Sequence, residues 1–246
     1  MSPRPPFPLL TGLRDRPAGT AADLLDGVET LCIVAPHPDD ETLGCGLLLI
    51  AAGERGLPVT VVCMTDGSRS HPASKDWPPD RLAAERRLEL TRAARSLASA
   101  AKVVWLGYPD TGLPDDGPAF DAACGRLARH LPQGPAALVL STWRHDPHSD
   151  HVSTARLVDG ARGAVHPARL LHYPIWGRFR ESAPASGFAE AHLIAGDIAA
   201  RARKRRALAC HQTQMTTLIA DDPTGFVMPE WMQDHFVDHP EIYLAA

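Results

Sequence analysis

A repeated order of short apolar run, loop and helix-like stretch constrains this chain more than any other feature of its sequence. Thr30 to Ala35 (TLCIVA) and Val59 to Met64 (VTVVCM) are continuous apolar runs, and shorter ones follow at Val103 to Leu106 and Ala137 to Ser141. Runs without polar alternation are expected of strands covered on both faces. Leu170 to Tyr173 and His192 to Ala195 read as later strands. Between them lie helix-like stretches at Glu41–Arg55, Arg81–Ala100 with Asp80 as its cap, Ala119–His130, about His151–Ala161 and Ile198–His211, with a shorter one at Thr20–Leu25. The alternation predicts an α/β, Rossmann-like fold: a mostly parallel central sheet with helices on both faces. Such sheets bind ligands beyond the carboxyl ends of their strands, where the strand order reverses.

At 246 residues, 44 % apolar and 22 % charged, the chain suits one α/β domain spanning 1–246, with a lead-in at 1–26 and a C-terminal tail at 213–246 packing on it. A net charge of −4 argues against a nucleic-acid partner. The one basic run, Arg201 with Arg203 to Arg206, reads as a solvated helix face. The five cysteines (Cys32, Cys45, Cys63, Cys124, Cys210) form no C-x-x-C pair, which implies a reducing compartment and no disulfide framework. The Pro-rich N-terminus lacks the apolar core of a signal peptide, and no segment reads as membrane-spanning, so a cytoplasmic protein without a membrane partner is expected. A homo-oligomer is compatible with the sequence.

Two strand-end loops carry the chemistry. After the first strand comes Pro36-His37-Pro38-Asp39-Asp40-Glu41, and after the fourth His145-Asp146-Pro147-His148-Ser149-Asp150-His151. In a parallel sheet both ends face one crevice. A catalytic zinc takes three imidazole or carboxylate ligands and keeps one position for water. His37 and Asp40, three residues apart, can aim at one point, and His151 completes a two-histidine, one-carboxylate set. Asp39, uncommitted to the metal, is the expected general base. His148 lies one helical turn before His151 and is the expected oxyanion partner in protonated form, then donor to the leaving amine, with Asp150 or Asp146 holding its ring cationic. Iron or another divalent metal suits the same donors.

Blander readings exist for each loop. His-Pro-Asp-Asp can be a turn with a helix N-cap, and His-x-x-His a surface pair. Both together, each after a buried strand, favour the metal site. Gly44-Cys45-Gly46 lacks the third glycine of a dinucleotide fingerprint and fits close helix–sheet packing instead.

The pattern Pro36-His37-Pro38-Asp39-Asp40-Glu41 with His148-Ser149-Asp150-His151 resembles the PIG-L (LmbE-like) N-deacetylases. Softer likenesses are Thr65-Asp66-Gly67, Arg86-x-x-Glu89, Leu106-Gly107 with Asp110, Ser70 to Ser74, Tyr173 to Trp176 and Ala207 to Gln214. The resemblance implies zinc on His37, Asp40 and His151, Asp39 as base, His148 at the oxyanion, and Asp110 and Arg69 as substrate contacts. It implies removal of an N-acetyl or other acyl group from an amino-sugar-like small molecule. Ser149 stands where the family usually has proline, and Asp146 where it has a tyrosine, which leaves any further oxyanion donor open. Two rival readings are an amidase acting on a thiol conjugate or a larger acyl amide, with Trp77, Trp143 and Trp176 as an apolar pocket, and a metal- or sugar-binding module without turnover. The retained Asp39 argues against the last, since a binding module needs no base.

Overall fold

A computed structural model describes residues 12–13, 16–163, 168–180 and 190–245. Half of the expected lead-in, residues 1–11 and 14–15, lies outside the described residues. Seven strands form one sheet: β1 (Thr30–Ala35), β2 (Val59–Thr65), β3 (Lys102–Tyr108), β4 (Ala137–Thr142), β5 (Arg169–Tyr173), β6 (His192–Ile194) and β7 (Glu241–Ala245), in the order β3-β2-β1-β4-β5-β7-β6. The first five pair in parallel, and β7 runs antiparallel between β5 and β6.

The continuous apolar runs are explained by two cores. Leu31 and Ile33 face one cluster, which includes Leu48 of α2 (Asp40–Glu54), Leu90 and Ala94 of α3 (Pro79–Leu97) and Ala207 of a later helix (Ile198–Leu208). Cys32 and Val34 face the other, with Leu127 of the helix Gly117–Ala128 and Leu157 of the helix Ser149–Arg162. Counting α1 as Ala21–Leu24, these three helices are α4 (Gly117–Ala128), α5 (Ser149–Arg162) and α6 (Ile198–Leu208); α7 (Gln212–Met215) and α8 (Glu230–Asp238) follow. Successive strand residues point to opposite faces, so a strand with a helical layer on each side must be apolar at every position. Gly44 of α2 lets Tyr173 of β5 approach; a Cβ there would stand 2.3 Å from the ring.

Three local expectations are corrected. The N-cap of α3 is Pro78, with Asp80 inside the first turn, because Pro79 fixes the first helical residue. The late helix stops at Leu208, and His211 starts α7. The basic run is not uniformly solvated: Lys204 is wholly buried and its Nζ lies 2.6 Å from Glu241 of β7. Neither α8 nor β7 was anticipated.

The order of strands reverses at β1, which is flanked by β2 on one side and β4 on the other. The loops that leave β1 and β4 therefore open onto the same crevice.

Candidate metal centre

The loop after β1 is anchored by Thr65, whose backbone N–H and hydroxyl both donate to the Pro36 carbonyl at 2.9 Å. It then turns sharply into α2. Asp39 has φ 141°, a conformation that costs an L-residue of order 1–3 kcal/mol. It occupies the N-cap position but its side chain makes no capping hydrogen bond. The Asp39 carboxylate is thus not used as a helix cap.

Asp40, in the first turn of α2, brings two histidines together. Its Oδ2 lies 3.3 Å from Nδ1 of His37 and 3.3 Å from Nε2 of His151. His151 comes from the first turn of α5 and is wholly buried, and neither of its ring nitrogens makes a hydrogen bond of ordinary geometry. A buried imidazole in that condition beside a carboxylate and a second imidazole is what a metal-ion ligand set looks like before the ion is considered.

Donor spacing alone also admits His37, His148 and His151, or His37, Asp110 and Asp150, as metal-holding groups. His37 meets a carboxylate at each ring nitrogen. Its Nδ1 faces Asp40, while Nε2 faces Asp150 at 3.1 Å and Asp110 at 3.4 Å. A ligating histidine ordinarily gives its other N–H to a carboxylate. Asp150 and Asp110 fill that place behind His37, and Asp146, 3.4 Å from Nδ1 of His151, does so for the second ring.

This corrects the expected role of Asp150 and Asp146. Neither holds the His148 ring. Asp150 braces His37 and accepts the Thr111 N–H at 2.8 Å; Asp146 faces His151 and accepts the N–H groups of Ile175 and Gly177. His148 instead caps α5, its Nδ1 accepting the Asp150 N–H at 3.2 Å. That bond assigns the ring proton to Nε2. Burial and the neighbouring rings of His37 and His151 lower the His148 pKa, which disfavours the expected cation.

The other charges follow from the same packing. Burial opposes charge on His37 and His151, but the surrounding carboxylates prevail: His37 is held well above its ordinary value and His151 at about 9. Burial pushes Asp39 upward while the Arg86 guanidinium, 3.3 Å away, pulls against it. His37 and the Arg69 N–H outweigh burial at Asp110 and depress it to about 2.

The crevice holds a cavity of about 590 Å³ lined by His37, Asp39, Asp40, Asp110 and His148, and by Arg69, whose Nη1 donates to Thr111 at 2.9 Å. All the sequence-expected residues thus come together, with Asp150 and His151 just behind the wall. Of the three tryptophans only Trp176 lines the cavity; Trp143 is buried beside Leu193 and Ile242, and Trp77 lies under Arg81. Several wall residues were not singled out from sequence: Arg86, and the segment Thr224 to Met228. Arg86 was visible only as half of the Arg86-x-x-Glu89 likeness, and no pattern marked the segment.

Residues 32–161 match the family model described as PIG-L: GlcNAc-PI de-N-acetylase. A 1D-myo-inositol 2-acetamido-2-deoxy-alpha-D-glucopyranoside deacetylase of Nocardia farcinica is 40 % identical over 73 residues, 27 % of this chain and 24 % of that protein. A mycothiol S-conjugate amidase of Streptomyces coelicolor is 28 % identical over 151 residues, 52 % of this chain and 49 % of that protein. The matches thus span half or less of these relatives' own length. The N,N'-diacetylchitobiose deacetylase of Pyrococcus horikoshii superposes with a TM-score of 0.65 at 19 % identity, covering 100 % of this chain and 95 % of that one, which shows a shared fold.

Proposed function

The chain belongs to the PIG-L family, and from that premise we propose that it is a metal-dependent hydrolase that removes an N-acyl group, acetyl in the simplest case, from an amino-sugar-like small molecule. One observation carries the reading. Asp39 is held in a strained conformation, spends no hydrogen bond on capping α2, and lines the cavity beside the donors of His37 and Asp40. A carboxylate kept off the helix cap at that cost, with Arg86 as its side-chain partner, is suited to moving a proton.

His37, Asp40 and His151 would hold zinc, with ferrous iron the alternative that the same donors accept. When bound, such an ion would lower the pKa of a water and add positive charge beside the amide carbonyl. Asp39 would take the proton of the attacking water as the water oxygen bonds to the carbonyl carbon. His148 presents a neutral Nε2–H to the oxygen that gains charge, and needs no carboxylate to do so. Burial favours the neutral form of Asp39, and the Arg86 guanidinium opposes it by favouring the anion. As the C–N bond breaks, Asp39 returns the proton to the departing nitrogen, giving a carboxylate and a free amine.

Asp110 and Arg69 are read as contacts for substrate hydroxyls, and 1–246 as one catalytic domain. Among the described residues no helix is long and apolar enough to cross a membrane, which agrees with a cytoplasmic enzyme. Amide cleavage of a thiol conjugate is the second reading, favoured by the match to the S-conjugate amidase over 52 % of this chain.

The test is release of primary amine from a panel of N-acetylglucosaminides and thiol conjugates by zinc-loaded protein beside Asp39→Ala. The wild type should release amine and the variant should be slower by ~10² to 10⁴, the usual scale for an acid–base group. Equal rates in both would remove Asp39 from the mechanism. No release from any amide by protein holding one metal would overturn the hydrolase reading.

A further inference from the structure

The cavity lining joins two chemically different groups of side chains around the candidate metal centre. One group is Asp110, Arg69 and Thr111, a carboxylate, a guanidinium and a hydroxyl carried by the loops after β2 and β3. The lining also holds Leu43, Trp176, Phe226 and Met228, an apolar group. Leu43 follows Asp40 by three residues on α2, so the apolar wall begins one helical turn from a proposed ligand. Asp110 lies 3.4 Å from His37 Nε2, so the polar wall begins beside another ligand.

The apolar wall is a built surface. Trp176 and Phe226 pack edge to face with centroids 5.6 Å apart, and Leu43 and Met228 are buried. The segment that supplies Phe226 and Met228 is tied down on both sides. The Phe226 N–H donates to the Ser70 carbonyl at 2.7 Å, and the Met228 N–H to the Gln214 carbonyl at 2.8 Å. Upstream, Asp222 accepts the Ala73 N–H at 2.8 Å, and Asp221 accepts the N–H groups of Lys75 and Asp76. A segment anchored at so many points keeps its aromatic in place without a ligand.

An amide whose carbonyl carbon sits at the metal centre sends its two substituents in opposite directions. The hydroxylated amine half matches Asp110, Arg69 and Thr111. The acyl half is left with the half-buried rings of Trp176 and Phe226, more apolar surface than a methyl group covers. A cavity of about 590 Å³ falls within the range of sites for drug-sized ligands and exceeds what a single N-acetyl sugar fills. We propose that the preferred substrate carries an N-acyl group larger than acetyl, a chain of several carbons or an aryl ring, seated against Trp176 and Phe226. The proposal rests on the hydrolase reading above for the placement of the amide and extends it to the class of acyl group.

The experiment holds the sugar constant and varies the acyl group: N-acetyl-, N-butyryl-, N-hexanoyl- and N-benzoylglucosamine, assayed for kcat/KM with zinc-loaded wild type and for Kd by calorimetry with zinc-loaded Asp39→Asn. The same measurements are repeated in a Phe226→Ala background. Both kcat/KM and affinity should rise with acyl size, by up to about three- to fourfold per methylene for full burial. The dependence should flatten in Phe226→Ala. Affinity that rises with acyl size without turnover would keep the subsite and discard the hydrolase. Turnover of the acetyl compound with rejection of the longer chains would do the reverse. A preference that follows an apolar aglycone, tested with methyl and phenyl N-acetylglucosaminides, would assign the wall to the other end of the substrate and overturn the proposal.

Discussion

Glu41 accepts the backbone N–H of Asp39 on Oε2 at 3.0 Å, while its other oxygen lies 3.3 Å from Nε2 of His211. Glu41 and His211 are both fully buried, and burial of a carboxylate is tolerable only when it is paired. The bond falls on the residue whose φ of 141° an L-residue rarely adopts, so Glu41 braces the backbone turn that aims Asp39 into the cavity. Glu41→Ala should lower kcat by roughly 10²-fold, the scale of a displacement of about 1 Å at a reacting group, with KM and bound metal near wild type. Glu41→Gln keeps an acceptor and should recover most of the rate. Steady-state kinetics with metal analysis decides: a loss of metal equal to the loss of rate would make Glu41 a support of Asp40 instead.

Gly67 is a second support of the same turn. Its φ is +62°, a Cβ there would stand 2.3 Å from Nη1 of Arg86, and its carbonyl accepts from that nitrogen at 2.8 Å. Gly67→Ala should cost about 1–3 kcal/mol of stability and also slow catalysis, because Arg86 must leave Asp39. Gly27 is the control. Its φ is +68° but a Cβ would meet nothing within 4 Å. Gly27→Ala should therefore lower the urea midpoint with unchanged kinetics, and equal kinetic effects in the two variants would refute the steric argument.

The parallel sheet was legible because strands covered on both faces leave continuous apolar runs, and the bounds of β1 agree with the run from Thr30 to Ala35. The candidate site was legible because its donors cluster in two short loops. The partner of each carboxylate was not. His37 recruits Asp150 across 113 residues and His151 recruits Asp146 from its own loop, pairings that depend on ring orientation and not on spacing. The strand β7 was hidden because Glu241, which opens it, reads as a surface charge, and only the fold supplies the Lys204 that makes it a core residue.

That pair should dominate the stability of the C-terminal region. Lys204 Nζ lies 2.6 Å from Glu241 Oε1 and donates to the Leu43 carbonyl at 2.8 Å, while Glu241 also accepts the Leu47 N–H and the Tyr243 hydroxyl. Removing one partner leaves a buried charge without compensation, a loss of about 3–5 kcal/mol. Lys204→Met should show that loss in urea unfolding, and adding Glu241→Gln should restore part of it. A double variant as unstable as the sum of the singles would mean that the two charges are not coupled.

Acid should find a different weakness. His235 is buried on α8, with the Arg178 Nε donating to its Nε2 at 3.1 Å. Burial, and then the Arg178 charge, drive its pKa down to about 2, so it stays neutral in the folded chain. In the unfolded chain it titrates near the ordinary 6.5. The unfolded state alone takes up the proton between those values, so stability contributed here is complete above about pH 6.5 and falls as pH drops below it. Histidines with raised values, such as His151, act in the opposite sense, so the comparison must be with a variant that changes His235 alone. His235→Gln keeps an acceptor for Arg178. Between pH 6.5 and 4.5 its stability should fall less steeply than that of the wild type, by up to one proton, about 1.4 kcal/mol per pH unit. Urea midpoints measured across that range should converge toward acid, and parallel curves would show that His235 is protonated in the folded chain.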